Sequence, residues 1–296
     1  MSEIVATPPI VGTKQSQIWL ALGALYLIWG STYLAIRVAL EAFPPLQLAG
    51  VRFVIAGGAL LGWQHLRGAR FPTLREWRSS LIIGVLLIGG NTLVTAAEQW
   101  VSSGLTAVAI GSVPLWVGLL SGLFGRWPAR NEWLALGVGF AGVMLLNLGG
   151  ELRGQPLGAA LLLLSALVWS LGSILSGPLP KASGLSGTGA LMLCGGVLDL
   201  LIALTIKESR PHDVTFRAVF SFFWLVIPGS IVAFSTFTWL LGKVRPTLAT
   251  SYAYVNPVVA VGLGALILNE PITGTSLGAM ALILLGVGLL ARAKTA

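Results

Sequence analysis

The sequence predicts an all-α integral membrane fold: ten transmembrane helices arranged as two inverted five-helix repeats around a central cavity. Three observations carry this. Charge is scarce, apolar stretches of membrane-crossing length recur along the chain, and the two halves resemble each other.

Of 296 residues only 28 are charged, 9% of the chain, where about 25% is usual for soluble domains. Hydrophobic residues make up 55% and the mean hydropathy is +0.88. Too few charges remain to coat a soluble domain of this size, so soluble, disordered and coiled-coil classes are excluded. The only cysteine is Cys194, which rules out a disulfide within the chain and argues against a cysteine-based metal site. No cofactor is expected.

A helix needs roughly 20 apolar residues to cross the bilayer. Eight charge-free stretches qualify: 15–36, 79–97, 99–125, 133–150, 154–180, 218–242, 246–269 and 271–291. Two more, near 46–66 and 185–206, are each broken by one charge, Arg52 and Asp199. Runs such as Leu161 to Leu164 show none of the period-two alternation of a membrane β-barrel. Residues 1–17 read as a cytoplasmic tail, and no cleaved signal peptide is expected.

Lysine and arginine set the orientation. With the N-terminus inside, Lys14, Arg67, Arg70, Arg75, Arg78, Arg126, Arg130, Lys181, Lys243, Arg245, Arg292 and Lys294 are cytoplasmic. Arg153, Lys207, Arg210 and Arg217 are external, while Arg37 and Arg52 lie in or at the edge of spans. Both termini are therefore expected in the cytoplasm. The net charge of +8 is then a topology signal and calls for no nucleic-acid partner.

The halves, 18–150 and 151–296, share landmarks. Pro114 is followed by Pro128, and Pro257 by Pro271, both at a spacing of fourteen. Leu27-Ile28-Trp29-Gly30-Ser31 resembles Leu167-Val168-Trp169-Ser170. Repeats with an odd number of spans insert in opposite orientations, a recurring plan of secondary transporters.

Trp29-Gly30-Ser31, the run from Pro45 to Phe53, and the stretch from Val244 to Pro271, with Asn256-Pro257 and Asn269-Glu270-Pro271, resemble the drug/metabolite transporter superfamily in its ten-helix EamA-type exporter form. Within that family the chain resembles bacterial amino-acid exporters of the YddG type. Gly125-Arg126-Trp127-Pro128 departs from the family's glutamate after span four. The resemblance implies alternating-access export across the bacterial inner membrane, with a small-molecule substrate, the bilayer as surroundings and a functional monomer.

Candidate site residues are polar or aromatic groups within spans. Asn91, Thr95 and Glu98 share one helical face, either as a substrate-facing stripe, with Glu98 binding an amine or a proton, or as a ladder between helices. Trp29 lies too deep for an interfacial belt, whereas Tyr33 and Arg37 fit either the cavity wall or that belt. Their counterparts are Ser165 with Trp169, Ser235 with Trp239, and Tyr252 with Asn256. Arg52, paired with Asp199, Glu98 or Glu41, reads as holding the outer mouth, and Arg37 and Asp199 are counted with it as gate or structural ion-pair residues. Pro114 and Pro257 are expected to kink their helices, and the glycine-rich segments, including Gly57-Gly58 and Gly195-Gly196, to let helices pack closely.

Three rivals are weaker. Gly184-Leu185-Ser186-Gly187 resembles the nucleophile motif of intramembrane serine proteases, but the only histidines, His65 and His212, lie outside the spans, leaving no base. A channel fits inverted copies poorly. A nucleotide-sugar or phosphate-ester antiporter would need several cationic cavity residues, and the span interiors offer only Arg37 and Arg52. A zwitterionic or neutral metabolite, amino acids first, suits the composition better.

Overall fold

The computed structural model describes residues 14–146, 155–268 and 274–293, and every regular element there is helical. The first half comprises α1 (Gln15–Ala39), α2 (Pro45–Leu66), α3 (Leu74–Ala97), α4 (Ser103–Ile110), α5 (Val113–Leu123) and α6 (Arg130–Leu146). The second comprises α7 (Pro156–Leu175), α8 (Gly184–Thr205), α9 (Phe216–Trp224), a π-helical stretch (Leu225–Val232), α10 (Ala233–Leu241), α11 (Pro246–Ala249), α12 (Tyr252–Leu268) and α13 (Gly274–Arg292).

These elements make ten spans, because α4 with α5, α9 through α10, and α11 with α12 each form one interrupted helix. Seven segments are long and apolar enough to cross a bilayer on length and composition alone. Helices α6 and α12 have 17 residues each, and the sequence at 147–150 and 269–273, predicted to extend or join these spans, lies outside the described residues. So does the Asn269-Glu270-Pro271 pattern.

Packing follows a two-fold logic. Helix α1 packs on α9, α10 and α12, while α3 packs on α7 and α5 also packs on α7. Helix α2 pairs with α8, and α6 with α13. Exchanging each span for the one five places along turns 1–8 into 6–3 and 1–9 into 6–4, and leaves 2–7 and 5–10 unchanged. The two halves thus use equivalent surfaces, as duplicated units must.

Small residues set the distance between them. A Cβ added to Gly57 on α2 would lie 2.6 Å from the Gly189 carbonyl oxygen on α8, and one on Gly189 would lie 2.9 Å from that of Gly57. Backbones in such contact gain dispersion and leave no room for a side chain. Gly195, Gly196 and Gly286 are similarly crowded, whereas Gly58 and Gly288 face open space and have no packing role. The outward surface is apolar, with Leu20, Leu27 and Leu34 exposed at seven-residue spacing along α1. In water such a stripe would invite aggregation; against lipid it is the expected outer face.

Helix ends are tied by charge. Thr73 and Glu76 cap α3 reciprocally, and Arg70 grips the Glu76 carboxylate through two bonds of 2.7 Å. Pro44 has no side-chain donor or acceptor to cap α2. Glu208, from the loop after α8, instead accepts the backbone N–H groups of Leu46 and Gln47 at 2.9 Å each, which suits an anion at a helix N-terminus.

Candidate substrate site

Where the halves meet, a cavity of about 450 Å³, including its mouth, is lined by residues of α1, α3, α4, α5, α7 and α12. It gathers seven of the predicted residues: Trp29, Tyr33, Asn91, Ser165, Trp169, Tyr252 and Asn256. Thr32, Ile36, Val94, Ile110 and Val113 complete the wall; these lacked any sequence signal beyond lying next to a predicted residue or one turn from it.

Aromatic packing forms one end. The Trp29 ring meets Tyr252 edge-on at 4.5 Å between centroids and Trp169 at 5.5 Å. Phe234 and Phe237 of α10 close the group, the latter 5.2 Å from Trp29. Edge-to-face pairs are favoured by the ring quadrupoles, so this is a stable plug. Trp29 is also fixed in plane, since its Nε1–H donates to the Gly229 carbonyl at 3.0 Å. Gly229 lies in the π-helical stretch beside Pro228, where the proline removes one backbone donor.

Hydroxyl and amide groups form the other wall. The Asn256 Nδ2 donates to the Tyr33 hydroxyl at 3.2 Å, while its buried Oδ1 has no partner. The Ser165 hydroxyl donates to the Gly90 carbonyl at 2.7 Å. Asn91 accepts a hydrogen bond from the Arg52 guanidinium. The lining thus offers stacking faces, one free amide oxygen and hydroxyls, with no charged side chain among the residues that form it.

Other predicted residues lie elsewhere. Thr95 is buried and its hydroxyl donates back to the Asn91 carbonyl at 3.1 Å. Glu98 caps α3, fully buried, and neither carboxylate oxygen has a hydrogen-bond partner; Arg37 instead donates to its backbone carbonyl. Ser235 and Trp239 share a face, as their spacing requires, but Phe234 and Phe237 hold the inward face of α10 and Trp239 is exposed. Neither Ser235 nor Trp239 lines the cavity.

The expected outer ion pair takes another form. Among the described residues the ion pairs within 4.0 Å are Arg70–Glu76 and Arg245–Glu132. Arg52 bonds Asn91 and stacks over Phe53, 4.2 Å from the ring centroid. Asp199 accepts from the Thr92 hydroxyl at 2.7 Å. The two charges are thus each tied to α3 rather than to each other. Of the two kinking prolines, Pro114 follows a break at 111–112 and starts α5. Pro257 sits inside α12, and the break in span nine comes earlier, at 250–251.

A second polar cluster was not anticipated. Glu132, at the start of α6, is buried and pairs with Arg245 at 2.8 Å. The Thr247 hydroxyl donates to the same carboxylate, and Arg245 also donates to the Leu290 and Ala293 carbonyls at the end of α13. One carboxylate thereby ties the start of span five to the start of span nine, and through Arg245 to the end of span ten. Glu132 and Arg245 sit at span ends, where sequence reading treats charge as orientation only.

An all-helical, two-repeat membrane fold with a polar-aromatic cavity at the repeat interface defines a secondary transporter. The EamA-like transporter family model matches residues 15–148 and again 156–292, and the chain belongs to this family. It is 40% identical to the uncharacterized inner membrane transporter YedA of Escherichia coli (strain K12), covering 93% of this chain and 90% of that one. Protein PecM of Dickeya dadantii is 30% identical over 84% of each chain. The uncharacterized transporter YoaV of Bacillus subtilis is 27% identical over 87% of this chain and 90% of its own. A solved crystal structure superposes with a TM-score of 0.76 at 20% identity, covering 93% of this chain and 96% of its own, which shows the fold alone.

Proposed function

We propose that the chain exports small zwitterionic or neutral metabolites, amino acids first, from the bacterial cytoplasm by alternating access. The observation that carries this is the cavity lining. Indole and phenol faces suit an apolar or aromatic side chain, and the Asn256 oxygen and Tyr33 hydroxyl suit ammonium and carboxylate groups. A doubly negative phosphate ester would meet no charged side chain in the lining, since the Arg52 guanidinium is engaged with Asn91.

With both termini cytoplasmic, the cavity residues of α1 and α3 fall in the outer halves of those spans. The aromatic plug and the Glu132–Arg245–Thr247 cluster then act as the closure on the cytoplasmic side. Return to the inward state requires that cluster to break and the plug to part.

Proteoliposomes tested with a panel of labelled amino acids decide the substrate class. Saturable flux of one or more, lost in Trp29→Ala and Asn256→Ala, is the expected result. If no amino acid moves while a phosphorylated sugar does, the proposed class is wrong.

A further inference from the structure

Glu98 has a setting that substrate binding alone does not explain. Its two carboxylate oxygens are buried without a partner. An ionised carboxylate left so would cost several kcal/mol, yet two guanidinium groups lie in its electrostatic neighbourhood, those of Arg37 and Arg52. Neither forms an ion pair with it among the described residues. Arg37 is engaged with the Glu98 backbone carbonyl. Arg52 is engaged with the Asn91 side chain, and its Nε, also buried, has no partner. A carboxylate and a guanidinium nitrogen are thus both unsatisfied, and the side chain that holds the guanidinium, Asn91, lines the cavity.

We propose that Glu98 is a proton-binding site that exchanges with substrate: it carries a proton in the state seen here and gives it up when Arg52 is released from Asn91. A substrate polar group that takes over the Asn91 amide frees the guanidinium, which then reaches Glu98. The proton leaves a Glu98 oxygen for water admitted by the same rearrangement, and an Arg52–Glu98 ion pair replaces the neutral acid. Emptying the cavity restores the Arg52–Asn91 bond and the proton returns to Glu98. Substrate and proton therefore exclude one another, as antiport demands.

The groups facing Glu98 are consistent with a proton as the occupant. Tyr33 and Arg37 come from α1 and Arg52 from α2, while Asp199 of α8 stands beside Arg52, held by Thr92. Helices α4 and α12 bring no charged side chain. A metal cation would add positive charge next to two guanidiniums and find only one carboxylate, whereas a proton neutralises the acid without adding a ligand requirement.

The inference rests on the cavity being the transport site, but its test needs no substrate. Infrared spectroscopy of the purified protein at neutral pH reads the carbonyl stretch of a protonated carboxylic acid. A glutamate band is expected, shifted by carbon-13 labelling of glutamate and distinguished from any contribution of Asp199 by being untouched by labelling of aspartate. It should vanish in Glu98→Gln. It should also vanish in Asn91→Ala, which frees Arg52, and return in Asn91→Ala combined with Arg52→Gln. Absence of the band from the labelled wild type, which requires no variant to fold, overturns the proton site. Its persistence in Asn91→Ala overturns the exchange. Neither result bears on which metabolite is carried, so failure here is separable from failure of the amino-acid panel.

Discussion

Replacing Glu132 by Gln is expected to open the cytoplasmic side. The carboxylate accepts from Arg245 and Thr247, and hydrogen bonds to a charged group contribute about 1.5–3 kcal/mol each. The Arg245 side chain is 22% exposed and that of Glu132 only 7%, so solvent screening reduces the first bond to the lower part of that range. Glutamine retains one acceptor and recovers part of the second. A net loss of about 2 kcal/mol remains, and with 1.4 kcal/mol per factor of ten this is about a 30-fold shift toward the inward-open state. The reporter is Thr250→Cys in a Cys194→Ala background. Thr250 is fully buried close to the cluster and bonds only backbone carbonyls. Its alkylation by an impermeant maleimide in inside-out vesicles tracks the open population. Adding Thr247→Val should raise the rate further only by the part of the Thr247 contact that glutamine keeps. An unchanged or slower alkylation rate in Glu132→Gln would refute the assignment of this cluster as the inner closure.

Three further outcomes follow from the packing and the caps. Gly57→Leu, with the Gly189 carbonyl where its Cβ must go, should destabilise the α2–α8 contact by about 1–3 kcal/mol or more, read as a lower melting temperature in detergent, whereas Gly58→Ala should leave it unchanged. Trp29→Phe keeps the ring contacts but loses the bond to Gly229; it should retain fold and weaken flux, while Trp29→Ala should lose about 3–5 kcal/mol of packing in a thermal-shift measurement. Glu208→Ala should cost about 1 kcal/mol through the lost cap on α2, visible as faster proteolysis of the loop after α8, with Glu208→Gln retaining part of the protection.

The fold was legible because lipid imposes a coarse rule. A charge inside a span is costly, so charges mark the boundaries, and Arg52 and Asp199 stood out as exceptions. Part of the site was legible for the same reason: a Trp or Asn far from the interface, such as Trp29 or Asn256, must face protein or water. What failed was choosing between faces of one helix. Spacing placed Ser235 with Trp239, yet it holds no information on whether that pair or Phe234 and Phe237 turn inward, since in an apolar span both sets are tolerated by lipid and by protein. Spacing likewise united Thr95 and Glu98 with Asn91, but depth along the helix separates them: only Asn91 reaches the cavity. The Arg245–Glu132 pair was invisible because its partners are 113 residues apart and nothing local couples them.

The π-helical stretch at Leu225–Val232 has a consequence for motion. An α-helix advances about 100° per residue, so one extra residue accommodated in a wide turn rotates everything after it by that angle. This slip is what presents Phe234 and Phe237 to Trp29. Its register is held by the very carbonyl, Gly229, that receives the indole N–H. Were the extra residue to migrate along span eight, α10 would turn about its own axis and withdraw both phenylalanines without any helix tilting. Rotation at that one joint would then dismantle the plug, and the Trp29–Gly229 bond is the contact it would have to break.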